Sequence, residues 1–385
     1  MQENVAADLG LKILGTGRAL PENAVGSADL DQMHGLDSGT VALLTGVKTR
    51  YFCKSENQID LAVRAAQNAL NAANILASDI DMIISAAAVP YQPIPATAPL
   101  IQQALGIADG TCFGTDINCT CLSFPMALHL AAGHLRGRPA NILIVASEVA
   151  SRGLPWTTQR DVAGLFGDGA GAVVVTAAPG GGIKAAAFVT YPSLHDACQL
   201  AAGGTRFDFD KQPEAFAAHS KFTMDGKALF RITAKHFGGF VDDLLTQADT
   251  TRDQITRVIA HQASPGALAH LVRVCGFETK QVVNIAADVG SHTSGMSTAN
   301  ERAATFLALL SEYGIDRRRH GHLHLNERVL CAARRDRLRH RTVEGAVLCP
   351  YADDEVIAPG LDHVTGVAID GVTLSAVLYQ VALHQ

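Results

Sequence analysis

The chain has 385 residues, of which 48% are hydrophobic and 18% charged, and a formal net charge of −6 at pH 7. That length accommodates one large core or two fused halves of ordinary domain size, and the acidic balance argues against nucleic-acid binding. The N-terminal stretch is not a secretory signal, and no apolar run is long enough to span a membrane. The sequence therefore predicts a globular cytoplasmic protein that binds neither nucleic acid nor membrane.

The eight cysteines are scattered along the chain. Without a secretory signal, this scatter argues against a disulfide framework. Cys112, Cys119 and Cys121 lack the paired spacing of a zinc site, and no second Cys or His pair follows at the required distance. We therefore expect free thiols and no bound metal.

The first half of the chain alternates predicted strands and helices. In chain order these are a strand at 11–17, a helix at 60–75, a strand at 79–89, a helix ending near Gly106, a strand, turn and helix within 113–135, a strand at 141–147, and a glycine-rich segment leading into a strand at 164–175. This alternation predicts an α/β fold.

The second half repeats that order. A strand is predicted at 255–261, followed by a helix that ends at Gly276. Residues 282–310 then read as strand, small-residue turn and helix, and residues 363–380 as the closing strands. A duplicated β/α unit is the economical interpretation, with an N-terminal half at 1–180 and a C-terminal half at 181–385 that share one stacked α/β core.

Cys121 lies in the turn between the predicted strand and helix of 113–135. The unpaired N–H groups at a helix start favour a thiolate over a thiol and can bind an oxyanion, as nucleophilic acyl transfer requires. A cysteine in an apolar setting is more often only a packing residue, so Cys121 needs partners before this interpretation holds.

Two histidines supply those partners. The repeat places His292 in the second half where Cys121 lies in the first, and His261 closes a strand just before a helix. Taken singly, His261 could be a buried core histidine and His292 part of a solvated turn. Because the binding and catalytic residues of α/β folds lie at the ends of strands, we expect the three side chains to converge between the halves.

The chain resembles the ketoacyl synthase III branch of the thiolase-like condensing enzymes. The matching pieces are DINCTCLSF around Cys121, FGDGAGAVVV from Phe166, AHQAS with His261, GSHTS with His292, and IAPG before the final strands. The resemblance covers nearly the whole chain. It implies a five-layered αβαβα subunit, a homodimer, and acyl-coenzyme A or acyl-carrier-protein thioesters as substrates without a further cofactor.

The same resemblance assigns roles at the site. It makes Cys121 the nucleophile and His261 the family histidine, and it places the acyl oxyanion between the backbone N–H groups of Cys121 and Gly371. His292 stands where this branch has asparagine, giving a Cys-His-His set as in the elongating ketoacyl synthases. A neutral imidazole can donate to an enolate, so decarboxylative condensation stays possible, but it could equally act as a base on an alcohol or amine.

The coenzyme-binding positions of the family are altered in this chain. The tryptophan that stacks on adenine falls near Thr40, and one contacting arginine falls on Leu44, so both are missing. The other adenine-side arginine matches Arg160. These departures favour an acyl-carrier-protein thioester over free coenzyme A.

Carrier-protein docking and the acyl pocket have their own matches. Two basic docking positions match Arg231 and Arg273, and a third falls on Gly266. Surface arginines are ordinarily only solvated, which is the alternative for both. The residue that usually caps the acyl pocket from the partner subunit aligns with Ile94, which points to an aliphatic acyl group.

The largest difference from the family pattern is a basic insertion at about 315–354. Residues 316–341 hold nine arginines against three acids, a formal +6 within a chain of −6. The alternatives are a partly disordered surface excursion, a basic pad for an acidic carrier protein, a reading-frame accident in the gene, and a His-x-His-x-His metal site at 320–324.

These observations predict an acyltransferase of the ketoacyl synthase III type, which forms an acyl-Cys121 intermediate and condenses it with a malonyl thioester or another nucleophile. Two alternatives remain open. One is a non-decarboxylating enzyme that makes an ester, an amide or a Claisen product. The other is a catalytically inactive subunit that binds acyl chains or completes a heterodimer.

Overall fold

A computed structural model of the chain describes residues 9–291, 310–311 and 375–382. All of these belong to one compact unit, Met1–Ser311 with Gly366–Gln385. His292, Gly371 and the basic insertion lie outside the described residues, so what the sequence predicts for them stays a prediction.

The elements follow one another along the chain as strands and helices of very different lengths. The strands are β1 (Leu9–Ala19), β2 (Ala24–Gly26), β3 (Thr49–Tyr51), β4 (Met82–Ser85), β5 (Phe113–Asp116), β6 (Asn141–Val149), β7 (Asp168–Thr190), β8 (Cys198–Gln199), β9 (Thr223–Met224), β10 (Ile255–Arg257), β11 (Leu310–Ser311) and β12 (Ser375–Ala382). The α-helices are α1 (Ser27–Met33), α2 (Thr40–Thr45), α3 (Gln58–Ala73), α4 (Thr97–Ala104), α5 (Ser123–His134), α6 (Arg160–Ala163), α7 (Pro213–Ala218), α8 (Gly226–Gln247), α9 (Pro265–Cys275) and α10 (Ala286–Val289).

The main sheet is mixed, with strand order β1-β7-β6-β4-β5 and with β12 also paired to β7. β4 runs parallel to both of its neighbours, whereas β7 runs antiparallel to β1 and β6. Because β4, β5 and β6 run in the same direction, the chain leaves all three at the same edge of the sheet. That edge is where the segment carrying Cys121 begins.

Helices cover both faces of this sheet. β6 is buried on both sides, and its successive residues point to opposite faces. One face packs against α5 through Leu11, Ile84, Phe124, Leu128, Ile142, Ile144 and Val173. The other packs against α3 and α4 through Leu61, Ala65, Ala69, Ile83, Ile101, Leu143, Val145 and Val174. α5 and the sheet thus fix the positions of the residues that flank Cys121.

β7 links the first half of the chain to the second. Its first part pairs with β1 and β6, and from residue 182 onward it pairs with β12 in parallel. The predicted boundary between the halves, at 180/181, falls inside this strand. A third core lies between α8 and α9 and is formed by Phe237, Val241, Leu244, Ile255, Leu268, Cys275 and Ala286, with Ala185 and Ala187 of β7 packed against it.

Three predicted elements of the second half are wrong in extent or type. The strand predicted to begin at 282 is limited to a single bridge at Val282 and is followed by the helix α10. The strand predicted at 255–261 is limited to β10, and Val258 adds only a single bridge to Val282. Residues 310–311, predicted to end a helix, form β11 antiparallel to β10. Short apolar runs fit a buried strand and a buried helix equally well, so periodicity alone does not separate them.

Candidate active site

Cys121 lies between the end of β5 and the start of α5. After Asp116 the chain forms a turn whose last residues, Thr120–Leu122, make a single 3-10 turn that runs directly into α5. α5 is apolar around most of its circumference, which allows it to be buried against the sheet. Cys121 is therefore held, half-buried, at the start of a helix that packing fixes in place.

The side chains of Asn118 and Ser123 hold this turn. Asn118 Oδ1 accepts a hydrogen bond of 3.0 Å from the N–H of Thr120. Ser123 Oγ accepts one of 3.0 Å from the N–H of Cys119 and lies 2.7 Å from the carbonyl oxygen of Thr120, to which it donates. Thr120, the residue before Cys121, is thus hydrogen-bonded at both its N–H and its carbonyl.

The titration of Cys121 is opposite to the sequence prediction. Burial raises the pKa of the Cys121 thiol above its ordinary value, and the nearby Cys198 and Glu148 raise it further. The residue's own backbone N–H acts in the other direction, as expected at a helix start, but it is the weakest of these influences on the pKa. The prediction of a resting thiolate is wrong, because desolvation outweighs the helix terminus.

Glu148 and Cys198 come from other elements. Glu148 is buried near the end of β6 and accepts a hydrogen bond from the N–H of Ala88. Cys198 opens β8, and burial raises the pKa of its thiol to about 11. Both thiols are therefore protonated at neutral pH.

His261 is half-buried in the segment between β10 and α9. Burial lowers the pKa of its imidazole to about 4, so the ring is neutral at neutral pH. The fully buried side chain of Gln262 fixes this segment: its amide nitrogen donates to the carbonyl of Val283 at 2.9 Å, and its oxygen accepts from the N–H of Ile285 at 2.9 Å. Ser264 caps α9 by accepting from the N–H of Ala267 at 3.0 Å.

The chain that leads to His292 is anchored through Ser291. Ser291 exchanges two backbone hydrogen bonds with the first half: its carbonyl accepts from Gly167 N–H at 2.8 Å, and its N–H donates to Leu165 carbonyl at 2.7 Å. The fully buried guanidinium of Arg50 supports the same segment by donating to Gly164 carbonyl at 2.7 Å. Residue 292 therefore follows directly after a fixed bridge to the glycine-rich loop.

No hydrogen bond joins Cys121 to His261 in the part of the chain that the structure describes. Cys121 lies in the turn before α5, as the sequence predicts, whereas His261 lies in the segment between β10 and α9 and not at the end of a strand. Since His292 is not described, the convergence of all three side chains stays a prediction.

Arg160 begins α6 and lines a shallow cleft with Leu44, Thr157, Thr158 and Asp161. The two positions that the resemblance assigned to coenzyme binding, Leu44 and Arg160, thus lie together. Next to them His34 stacks on Trp156 with ring centroids 4.1 Å apart, and burial and the charge of Arg160 lower the pKa of His34. The cleft pairs one cationic side chain with one acid.

Arg231 and Arg273 are exposed on adjacent helices, α8 and α9. Phe230 of α8 packs on His270 of α9 with ring centroids 3.8 Å apart, which brings the two arginine-bearing faces together. Ile94 is 86% exposed in the loop after β4. The described residues thus leave all three side chains accessible to another molecule.

Several residues of the site were missed by sequence reasoning. Asn118 and Ser123 lie inside the quoted cysteine motif, and Gln262 lies inside AHQAS, so their polar character next to reactive residues was an available signal. Glu148 and Cys198 carry no local signal, because their place beside Cys121 depends on tertiary structure.

The described residues contain no group of three or more His, Cys, Asp or Glu side chains arranged to hold a metal ion. Six cysteines are described, and all are free thiols: Cys53, Cys112, Cys119, Cys121, Cys198 and Cys275. None of the helices in these same stretches has the length and apolar composition to cross a membrane.

Comparison with known proteins gives consistent matches. Residues 115–192 match the family model of 3-oxoacyl-[acyl-carrier-protein (ACP)] synthase III. The chain is 33% identical over 287 residues to the beta-ketoacyl-[acyl-carrier-protein] synthase III of Neisseria meningitidis, covering 73% of this chain and 85% of that protein. It is 34% identical over 289 residues to the enzyme of the same name from Rhizorhabdus wittichii, covering 74% and 86%.

The fold is also similar to that of a solved structure. The crystal structure of 3-oxoacyl-[acyl-carrier-protein] synthase III from Aquifex aeolicus superposes with a TM-score of 0.61 at 27% identity, over 75% of this chain and 88% of that one. The predicted thiolase-like α/β fold is thereby confirmed.

Proposed function

Because this chain belongs to the beta-ketoacyl-[acyl-carrier-protein] synthase III family, we propose that it is a condensing acyltransferase that works through an acyl-Cys121 thioester. One observation carries the assignment of the nucleophile: Cys121 lies at the start of α5 with its own backbone N–H beside its Sγ atom. That N–H is suitably placed to stabilise an oxyanion on a carbonyl attacked by the sulfur.

In the first half-reaction the Cys121 sulfur attacks the carbonyl carbon of an acyl thioester. A carbon–sulfur bond forms to Cys121, the bond to the carrier sulfur breaks, and the Cys121 proton ends on the departing thiol. Since the thiol pKa is raised, the proton must leave as the bond forms.

In the second half-reaction a malonyl thioester loses carbon dioxide and its enolate carbon attacks the acyl-Cys121 carbonyl. N–H groups of His261 and His292 hold the enolate oxygen, and those of Cys121 and Gly371 hold the oxygen of the tetrahedral intermediate. Collapse releases Cys121 thiolate, which takes up a proton, and the 3-oxoacyl thioester. A neutral His261 can donate an N–H without carrying a charge, which suits this role.

The donor we propose is an acyl-carrier-protein thioester. The cleft at Arg160 also contains Asp161 and Leu44, so it offers little net attraction to the phosphates of coenzyme A. Arg231 and Arg273 lie exposed on neighbouring helices, and Lys227 and Lys235 repeat one turn to either side of Arg231. Such a basic face complements an acidic carrier protein.

We further propose that the working unit is a homodimer. Among the residues that the structure describes, β5 is the last strand of the main sheet, and Phe113 at its start is 62% exposed. An uncovered edge strand beside exposed apolar side chains is a suitable surface for a second copy of the chain. Ile94 would then reach the acyl pocket of the partner.

Intact-protein mass spectrometry after incubation with acyl-carrier-protein and acyl-coenzyme A thioesters tests the proposal. We expect one acyl adduct on the wild-type protein and none on Cys121→Ala. An adduct that persists in Cys121→Ala would refute the assigned nucleophile. Release of carbon dioxide from a malonyl thioester then separates decarboxylative condensation from ester or amide formation.

A further inference from the structure

The residue that precedes Cys121 has an unusual backbone conformation. Thr120 has φ of +52°, in the left-handed region that β-branched residues rarely occupy. Glycine or asparagine would adopt the same backbone conformation with less strain. Such a conformation persists only where the surrounding structure imposes it.

Two side chains impose it from opposite sides. Asn118 Oδ1 accepts from the N–H of Thr120 at 3.0 Å, and Ser123 Oγ donates to the carbonyl of Thr120 at 2.7 Å. Ser123 is fully buried and also accepts from the N–H of Cys119, so its orientation is fixed. Both peptide groups of Thr120 are therefore restrained.

The same two side chains connect the turn to the segment that directly follows β4. Asn118 Nδ2 donates to the carbonyl of Ala88 at 3.0 Å, and Ser123 Oγ lies 3.2 Å from the carbonyl of Ala87. Ala88 is held in turn by the buried carboxylate of Glu148, which accepts its N–H. The turn is thus tied to β4 and β6, two strands of the rigid sheet.

We propose that Asn118 and Ser123 are positioning residues for acyl transfer, which hold Thr120 in its left-handed conformation so that the N–H and Sγ of Cys121 point into the same reaction site. The proposal rests on the proposed function, because it needs an acyl oxyanion at the Cys121 N–H. Rotation of the peptide between Thr120 and Cys121 turns that N–H directly, whereas the sulfur is affected less because it can adjust by rotation about its own side-chain bonds.

A comparison of two reactions of the same thiol tests this. Acylation by a thioester needs both the sulfur and the oriented N–H, whereas alkylation by iodoacetamide needs only the sulfur. For Asn118→Ala and Ser123→Ala we expect the single-turnover acylation rate to fall about 10- to 100-fold, as when one oxyanion donor is displaced. We expect alkylation of Cys121 to change by less than about threefold, since the thiol itself remains.

Asn118 is exposed, so Asn118→Ala tests the proposal even if Ser123→Ala does not fold. Asn68→Ala is the matched control, since Asn68 also donates to a backbone carbonyl, that of Arg18, at 2.9 Å. Equal losses in acylation and alkylation, or unchanged acylation in Asn118→Ala, would overturn the proposal. Acylation that persists in Cys121→Ala would instead overturn the proposed function.

Thr120→Gly and Thr120→Asn supply a second measurement. Both relieve the strain, but glycine also frees the peptide to rotate. We expect Thr120→Gly to lose acylation rate while its thermal stability is kept, and Thr120→Asn to retain most of the rate. Full acylation activity in Thr120→Gly would contradict a positioning role for the restrained turn.

Discussion

The side-chain amide nitrogen of Gln262 donates a hydrogen bond of 2.9 Å to the backbone carbonyl of Val283. Through this bond, and through the N–H of Ile285 that its oxygen accepts, Gln262 ties the segment of His261 to the segment that leads to His292. Gln262 therefore fixes the segment of His261 against residues 283–285, which precede His292 in the chain.

Replacement of Gln262 should separate the two half-reactions. Gln262→Ala leaves backbone groups near Val283 and Ile285 without partners, which costs about 1–3 kcal/mol of the free energy of unfolding. We expect carbon dioxide release from a malonyl thioester to fall about tenfold or more, because the proposed mechanism assigns both histidines to the enolate oxygen. Acyl-Cys121 formation should change much less. Gln67→Ala, on an exposed face of α3, is the control.

The reactivity of Cys121 toward iodoacetamide should report its raised pKa. Only the thiolate is alkylated, and burial, Cys198 and Glu148 all disfavour that form. The alkylation rate should therefore stay low at neutral pH and rise only above the pH at which an ordinary thiol ionises. Mass spectrometry with Cys121→Ala identifies the site. A midpoint below about 8.5, the value of a free cysteine, would contradict this account.

His261 should make the protein less stable in acid. Its pKa is lowered to about 4 in the folded protein, whereas an unfolded chain binds the proton near pH 6.5. Between these values the unfolded state holds more protons, so stability falls as the pH decreases from about 6.5 toward 4 and is unaffected above that range.

The measurement is urea denaturation of the wild type and His261→Gln at pH 8, 6 and 5. The free energy of unfolding of the wild type should decrease relative to that of the variant as the pH falls. His34, His129 and His270 also have lowered pKa values, but they are present in both proteins and cancel. A difference that does not change with pH would show that His261 titrates normally.

The first half of the fold was predictable where its elements are long or uniformly buried, whereas the strand predicted at 79–89 is limited to the four residues of β4. The strand predicted at 141–147 is β6, and the helix predicted at 60–75 is α3. The short β10 was overextended, since the apolar residues after it are buried without forming a ladder. Likewise, the pKa of Cys121 depends on burial and on Glu148, which only the folded chain brings near.

The close contact between β1 and α3 gives a stability prediction. A Cβ added at Gly17 would overlap the carbonyl oxygen of Ala65 and the nitrogen of Ala69, both backbone atoms that cannot move aside. Gly17→Ala should therefore lower the free energy of unfolding by about 1–3 kcal/mol. Gly133→Ala is the control: that site in α5 has open space, and alanine favours the helix by about 0.5–1 kcal/mol. Unchanged stability in Gly17→Ala would refute the close packing.

The basic face formed by Arg231 and Arg273 should distinguish the two classes of acyl donor. If it docks an acidic carrier protein, Arg231→Glu and Arg273→Glu each replace attraction by repulsion at the rim of the contact. We expect the KM for acyl-carrier-protein to rise about 5- to 50-fold and to depend less on salt, while the KM for acyl-coenzyme A stays within about twofold. Arg138→Glu, at an exposed arginine in the turn after α5, controls for net charge. Equal effects on both donors would show that these arginines act on the shared acyl chemistry, and no effect on either would show that they are only solvated.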